Sequence, residues 1–159
     1  MHITHLEIHQ VRNLRSLTLD CHSMANIVHG VNGSGKTSLL EAIHLLGRGR
    51  SFRHRDLRLV VSHEADELVV SAKVNKTDPL KTHQLGVRRS SSGQFAARLD
   101  GKTIQTAAQL ATVLPLQLID AQSFNYWRAG LFSGGSFWIG ECSTWNSPTL
   151  SCGVGFKKH

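Results

Sequence analysis

Gly30-Val31-Asn32-Gly33-Ser34-Gly35-Lys36-Thr37 is the stretch that decides the fold. It fits G-x-x-x-x-G-K-[ST] in full, and the pattern carries meaning only between a strand and a helix. Both flanks are present. The short apolar run Asn26-Ile27-Val28-His29 leads into the loop, and Ser38 to Leu46 has helical spacing that ends at Gly47, a natural C-cap. Strand, glycine loop and helix together read as a phosphate cradle. The glycines let the backbone turn so that successive N–H groups aim at phosphate oxygens, and the helix N-terminus adds a partial positive charge. Lys36 is expected to reach the β and γ phosphates and the Thr37 hydroxyl to hold Mg2+. A chance match in a glycine-rich turn is the competing reading, and the flanking pattern weighs against it.

Upstream, Ile3, Leu6, Ile8 and Val11, then Leu14, Leu17 and Leu19, read as two half-buried strands joined by the polar turn Arg12-Asn13. Downstream, strands are expected at Leu68 to Val74, Leu85 to Arg88, Ala97 to Leu99 and Lys102 to Ile104, with Asp100-Gly101 as a two-residue hairpin turn. A short helix fits Gln105 to Val113, followed by the apolar strand Leu114-Pro115-Leu116-Gln117-Leu118-Ile119. The fold class is α/β with several antiparallel strands.

The chain has 159 residues and a net charge of +7, which suits a polyanionic partner. Five arginines, Arg48, Arg50, Arg53, Arg55 and Arg58, lie within eleven residues that hold a single acid, Asp56. They form a candidate DNA-contacting patch; a solvated basic loop, or arginines facing the nucleotide or a partner subunit, fits the same residues. Phe52 among them reads as an anchor for the loop. Lys73, Lys76, Lys81, Arg88 and Arg89 read as solvated strand edges. His2, His5 and His9 do not make a metal site, since on a strand residues 2 and 5 point to opposite faces. Cys21, Cys142 and Cys152 lack metal-ligand spacing and are odd in number, so free thiols are expected rather than a disulfide framework or zinc site. No run of 18 apolar residues and no signal-peptide pattern is found, so no membrane partner and a cytoplasmic location are expected.

A phosphate loop alone does not choose among kinases, GTPases, helicases and ABC-type ATPases. The wider sequence resembles the RecF family of bacterial DNA replication and repair ATPases. The resemblance rests on the Arg12-Asn13 hairpin turn, the loop and its continuation Ser38-Leu39-Leu40-Glu41-Ala42-Ile43, the string Gly49-Arg50-Ser51-Phe52-Arg53, and Leu114 to Ile119. It covers residues 1 to about 125. It implies the N-terminal portion of an ABC-type P-loop ATPase head with an antiparallel β subdomain, and a slow, DNA-stimulated ATPase that dimerises around ATP. Binding of gapped or single-stranded DNA, assistance to RecA loading with RecR and RecO, and a place in DNA damage and SOS responses also follow from it. Residue by residue, Gly30 to Thr37 are implied as the ATP and Mg2+ site, with Arg12 and Asn13 as neighbours of the nucleotide. Gln122 is implied as the residue that senses the γ phosphate through Mg2+; the family usually has proline where this chain has Ala121.

Two further elements of such a head, a strand ending in a magnesium-directed carboxylate and a signature loop, are not found in this chain. In the family they lie beyond residue 159. The head is therefore expected to be incomplete, able to hold ATP and Mg2+ but not to hydrolyse ATP alone. A change of character at Tyr126 fits this. Residues 126 to 159 hold all three tryptophans, the only tyrosine and two of the three cysteines, with no sustained period. DNA encoding Phe137 to Asn146, read one base earlier, can give FLDWGVFHVE, the string the family resemblance leads one to expect there. A frameshift near residues 125 to 127 is therefore expected, giving a RecF-like unit at 1–125 and an aberrant tail at 126–159. A non-catalytic DNA-binding fragment and an unstable pseudogene product are the alternatives.

Overall fold

The computed structural model describes residues 1–54, 56–76 and 81–119. Arg55, Gln122 and the tail 126–159 lie outside the described residues. Six strands form one antiparallel sheet in the order β2-β1-β3-β4-β5-β6. Their ranges are β1 His2–Val11, β2 Leu14–Asp20, β3 Glu67–Lys76, β4 Lys81–Ser90, β5 Phe95–Leu99 and β6 Lys102–Ile104. Two helices, α1 at Lys36–Arg48 and α2 at Ala107–Val113, and a 3-10 turn at Leu57–Val60 complete the described elements.

Alternation explains the sheet. β3 buries Leu68, Val70, Ala72 and Val74, and β4 buries Leu85 and Val87. β1 keeps its apolar side chains inward by two departures from strict period two. A register shift between Ile3 and His5 re-phases Leu6, and a left-handed Gln10 (φ 57°) precedes Val11. Asp100 (φ 50°) and Gly101 (φ 80°) make the expected tight turn, with both central residues in the left-handed region.

The buried sheet face packs on α1 through Leu39, Ala42, Leu45 and Leu46, with Val60 and Leu110 closing the core. Each fully buried Leu of this kind stabilises by roughly 1.5–3 kcal/mol. α1 ends two residues later than its apolar pattern suggests. Gly49 (φ 65°) is its C-cap, donating its N–H to Leu45 O at 2.8 Å. Gly47 serves a different purpose: a Cβ there would lie 2.5 Å from Leu116 Cδ1 and 2.8 Å from the Leu114 carbonyl.

Two expected strands are not formed as such. In Asn26 to His29 only Ile27 makes a bridge. Asn26 turns back on His22, accepting its N–H at 2.8 Å and donating to its carbonyl at 2.9 Å, a local closure that competes with ladder pairing. Leu114 to Ile119 is irregular, although Leu114 and Leu116 are buried against the core. Apolar content sets burial, whereas a strand also needs a hydrogen-bonding neighbour. α2 starts at Ala107 rather than Gln105. β3 and β4 are interior strands of the sheet, so their basic residues belong to its solvent face and strand ends and not to its edges. Arg88 there pairs with Glu67 on β3, Nε to Oε2 at 2.6 Å.

Candidate nucleotide site and its surroundings

The loop between Val28 and α1 is set by glycines in the left-handed region: Gly30 at φ 154°, Gly33 at 80° and Gly35 at 102°. Gly30 also needs its missing Cβ, which would sit 2.9 Å from Ser34 Oγ. Gly35 is the N-cap of α1 and offers no side chain to the first turn, which also lacks an acid. With neither a capping side chain from Gly35 nor an acid in the first turn, the positive end of the helix dipole favours an anion here. Lys36 folds over the loop and donates to the carbonyls of Gly30 at 2.9 Å and Val31 at 3.0 Å. Its ammonium has three donors, so this seating orients the charge without exhausting it. Ser34 Oγ is buried and without a hydrogen-bond partner in the protein. Thr37 is the second residue of α1, half-buried beside these groups.

Loop shape, uncapped helix start, cation and orphaned hydroxyl together fit a phosphorylated ligand. Among the described residues no group of three or more His, Cys, Asp or Glu could hold a metal ion.

Arg12 and Asn13 lie beside this site, and each bonds groups of α1 or the loop. Arg12 is left-handed (φ 52°) and forms a two-pronged ion pair with Glu41, Nη2 to Oε1 at 3.0 Å and Nε to Oε2. The Glu41 side chain is fully buried. Burial pushes its carboxyl up, but hydrogen bonds from Arg12 and Ser51, with the charges of Arg12 and Arg53, outweigh this and hold it below its usual value. Asn13 donates to the Gly33 carbonyl at 2.9 Å and accepts from Ser38 Oγ at 2.7 Å. Ser38, Glu41, Leu14 and Ser51 are the residues that sequence reasoning missed.

The arginine segment divides. Arg48 donates to the Leu116 carbonyl at 2.8 Å and ties the end of α1 to the chain after α2. Arg58 makes a forked pair with Asp56, whose carboxyl is held at about 2, chiefly by Arg58. Arg50 and Arg53 remain exposed. Ser51 between them donates to Glu41 and accepts the N–H groups of Arg53 and His54 at 3.0 and 3.1 Å. Phe52 is half-buried and lies edge-on to His44, ring centroids 5.4 Å apart. On the opposite sheet face His5 bonds Asp20 and Glu7, at 2.6 and 3.2 Å, and its pKa is raised by them. Cys21 is a free thiol; Cys142 and Cys152 lie outside the described residues.

A helix started by a glycine phosphate loop and packed on an antiparallel sheet defines the N-terminal part of a P-loop ATPase head of the SMC and RecF kind. The RecF/RecN/SMC N terminal domain matches residues 2–151, and the chain belongs to that family. It is 46% identical over 125 residues to the DNA replication and repair protein RecF of Pseudomonas entomophila, and 47% over 125 residues to that of Azotobacter vinelandii. In each case the match covers 79% of this chain and 34% of the relative, so the chain spans about a third of the length of these curated relatives. A solved structure of the recombination mediator RecF with ATP superposes with TM-score 0.71 at 22% identity, covering 76% of this chain and 33% of that one. An SMC ATPase structure from work on ATP-driven dimerization and DNA-stimulated activation superposes with TM-score 0.70 at 17% identity, covering 82% and 97%. At these identities the superpositions establish the fold. No helix among the described residues is long and apolar enough to cross a membrane.

Proposed function

We propose that this chain is the nucleotide-binding N-terminal segment of a RecF-like DNA-repair ATPase, holding ATP at Gly30 to Thr37. The observation that carries the reading is the start of α1. Its N-cap is a glycine with no capping side chain, three left-handed glycines shape the loop before it, and Lys36 lies across that loop. In this reading the loop amides and Lys36 would bind and orient the phosphates and the Thr37 hydroxyl would hold Mg2+, with Gln122 assigned, by the resemblance, to sensing the γ phosphate through that ion. Bound Mg2+ supplies neutralisation of phosphate charge. Arg12 and Asn13 stand beside the site as neighbours of the nucleotide, with Arg12 held in place by Glu41.

Gapped or single-stranded DNA is the proposed macromolecular partner, with Arg50 and Arg53 as the contacting residues, because the equally exposed Arg48 and Arg58 are engaged by the Leu116 carbonyl and by Asp56. Assembly with RecR, RecO and RecA, ATP-dependent pairing of two heads, and a cytoplasmic role in the SOS response are proposed by kinship with RecF. Hydrolysis by this chain alone is not part of the proposal. The test is fluorescence anisotropy of labelled gapped DNA, with and without MgATP, at two salt concentrations, beside titration of a fluorescent ATP analogue. Salt-sensitive DNA binding and saturable analogue binding are expected. DNA binding with no analogue binding would instead support a non-catalytic DNA-binding fragment, and aggregation with neither an unstable one.

A further inference from the structure

Three consecutive residues of the β1–β2 turn each reach a different point of the phosphate loop and its helix. Arg12 grips Glu41, inside α1. Asn13 spans Gly33 in the loop and Ser38 in the first turn of α1. Leu14 fills the space under Gly35, where a Cβ would come within 2.6 Å of its Cδ2. The far side of the turn is also fixed, because the Arg12 N–H donates to the Val60 carbonyl at 2.9 Å and Ser62 N–H to the Gln10 carbonyl at 2.9 Å. The turn is thus anchored to the sheet, to the chain at Val60 and Ser62, and to α1 before it touches the loop.

We propose that this turn is a clamp that sets the phosphate loop before any ligand arrives, with Asn13 as its positioning residue. Resting on the nucleotide-site reading above, it assigns Asn13 a role exerted through the Gly33 carbonyl and Ser38, without contact to the nucleotide. The amide group suits this role because it donates and accepts at once. Its nitrogen fixes the carbonyl of the residue at the loop's crest, and its oxygen takes the hydroxyl of a residue already locked in α1. The left-handed Arg12 is the backbone cost of aiming Asn13 at the loop, and the buried Glu41 pair holds that conformation in place. Preorganisation of this kind raises affinity by removing loop ordering from the binding step.

The test separates the clamp from the nucleotide reading by using two measurements on the full chain. Hydrogen exchange of the amides between Val31 and Lys36, without nucleotide, reads the loop itself. Asn13→Ala should speed it at least tenfold while leaving β3 and β4 amides unchanged, and Asn13→Asp, which keeps the acceptor for Ser38 but loses the donor to Gly33, should do the same. Binding of a fluorescent ATP analogue should then weaken about tenfold in both variants. Unchanged loop exchange in Asn13→Ala overturns the clamp, whatever happens to affinity. Faster loop exchange with wild-type protein that never binds the analogue upholds the clamp and overturns the nucleotide reading. Should Asn13→Ala unfold globally, Ser38→Ala decides: it removes one half of the bridge, and unchanged loop exchange there counts against the proposal.

Discussion

The two ends of α1 carry the two features that stand out in the sequence, a glycine loop at the start and an arginine cluster at the end, and they fare differently in three dimensions. At the start, three left-handed glycines shape the loop and Lys36 lies across it. At the end, charge that looks like a single patch is divided: Arg48 holds Leu116, Arg58 holds Asp56, and Arg50 and Arg53 stay in solvent. A motif whose chemistry lies in backbone conformation is local, so eight residues suffice to define it. A charge cluster states only how many cations are present, and their partners come from residues far along the chain.

Perturbing the buried pair that joins these regions should have the largest effect. Glu41→Ala leaves Arg12 without its partner in a mostly buried position, and a loss of about 3–5 kcal/mol is expected from cases of this kind. Thermal unfolding would measure it, and a change below about 1 kcal/mol would contradict the buried pair. The same carboxyl sets a pH dependence. Its folded pKa lies below the usual 4.5, so its contribution is present above pH 4.5 and is lost as the pH falls through the lower folded value. Stability measured across this window should fall more steeply in the wild type than in Glu41→Gln.

Next in size is the contact at the C-terminal end. Gly47→Ala drives a methyl into Leu116 and the Leu114 carbonyl, and overpacking of this kind costs about 1–3 kcal/mol. Chemical denaturation should show it, together with increased protease sensitivity of the chain after α2. Unaltered stability would mean that the segment does not pack on α1 as described.

The arginines then sharpen the comparison within one segment. Arg50→Ala with Arg53→Ala should weaken DNA binding and flatten its salt dependence, by a slope of roughly 0.7–0.9 for each phosphate contact removed. Arg48→Ala should leave the salt slope alone and lower stability instead. The reverse result would reassign the DNA-facing residues. Smallest of all, Arg58→Ala should not move the melting temperature measurably, because exposed ion pairs are screened by solvent.

Legibility in the sequence followed range. The β1–β2 hairpin, the strands of the β3–β6 meander and the helix after the loop could be read because alternation and turn chemistry act over a few residues. The runs Asn26 to His29 and Leu114 to Ile119 are apolar without being strands, because apolar character does not supply a hydrogen-bonding neighbour. Gly47 looked like a cap because glycine after an apolar run usually is one, yet the cap is Gly49 and Gly47 makes room for Leu116. The links of Asn13 to Gly33 and Ser38 span 20 and 25 residues. No spacing rule reaches that far: the family resemblance puts the turn beside the nucleotide, and the structure supplies its contacts to the loop.

Calorimetric titration with MgATP, run on the wild-type chain and on Lys36→Ala, tests the central claim most directly. The account predicts saturable binding at one site per chain in the wild type and its loss in Lys36→Ala, with both proteins showing the same far-ultraviolet circular dichroism. Absence of binding in a folded wild type, or equal binding in Lys36→Ala, would contradict it.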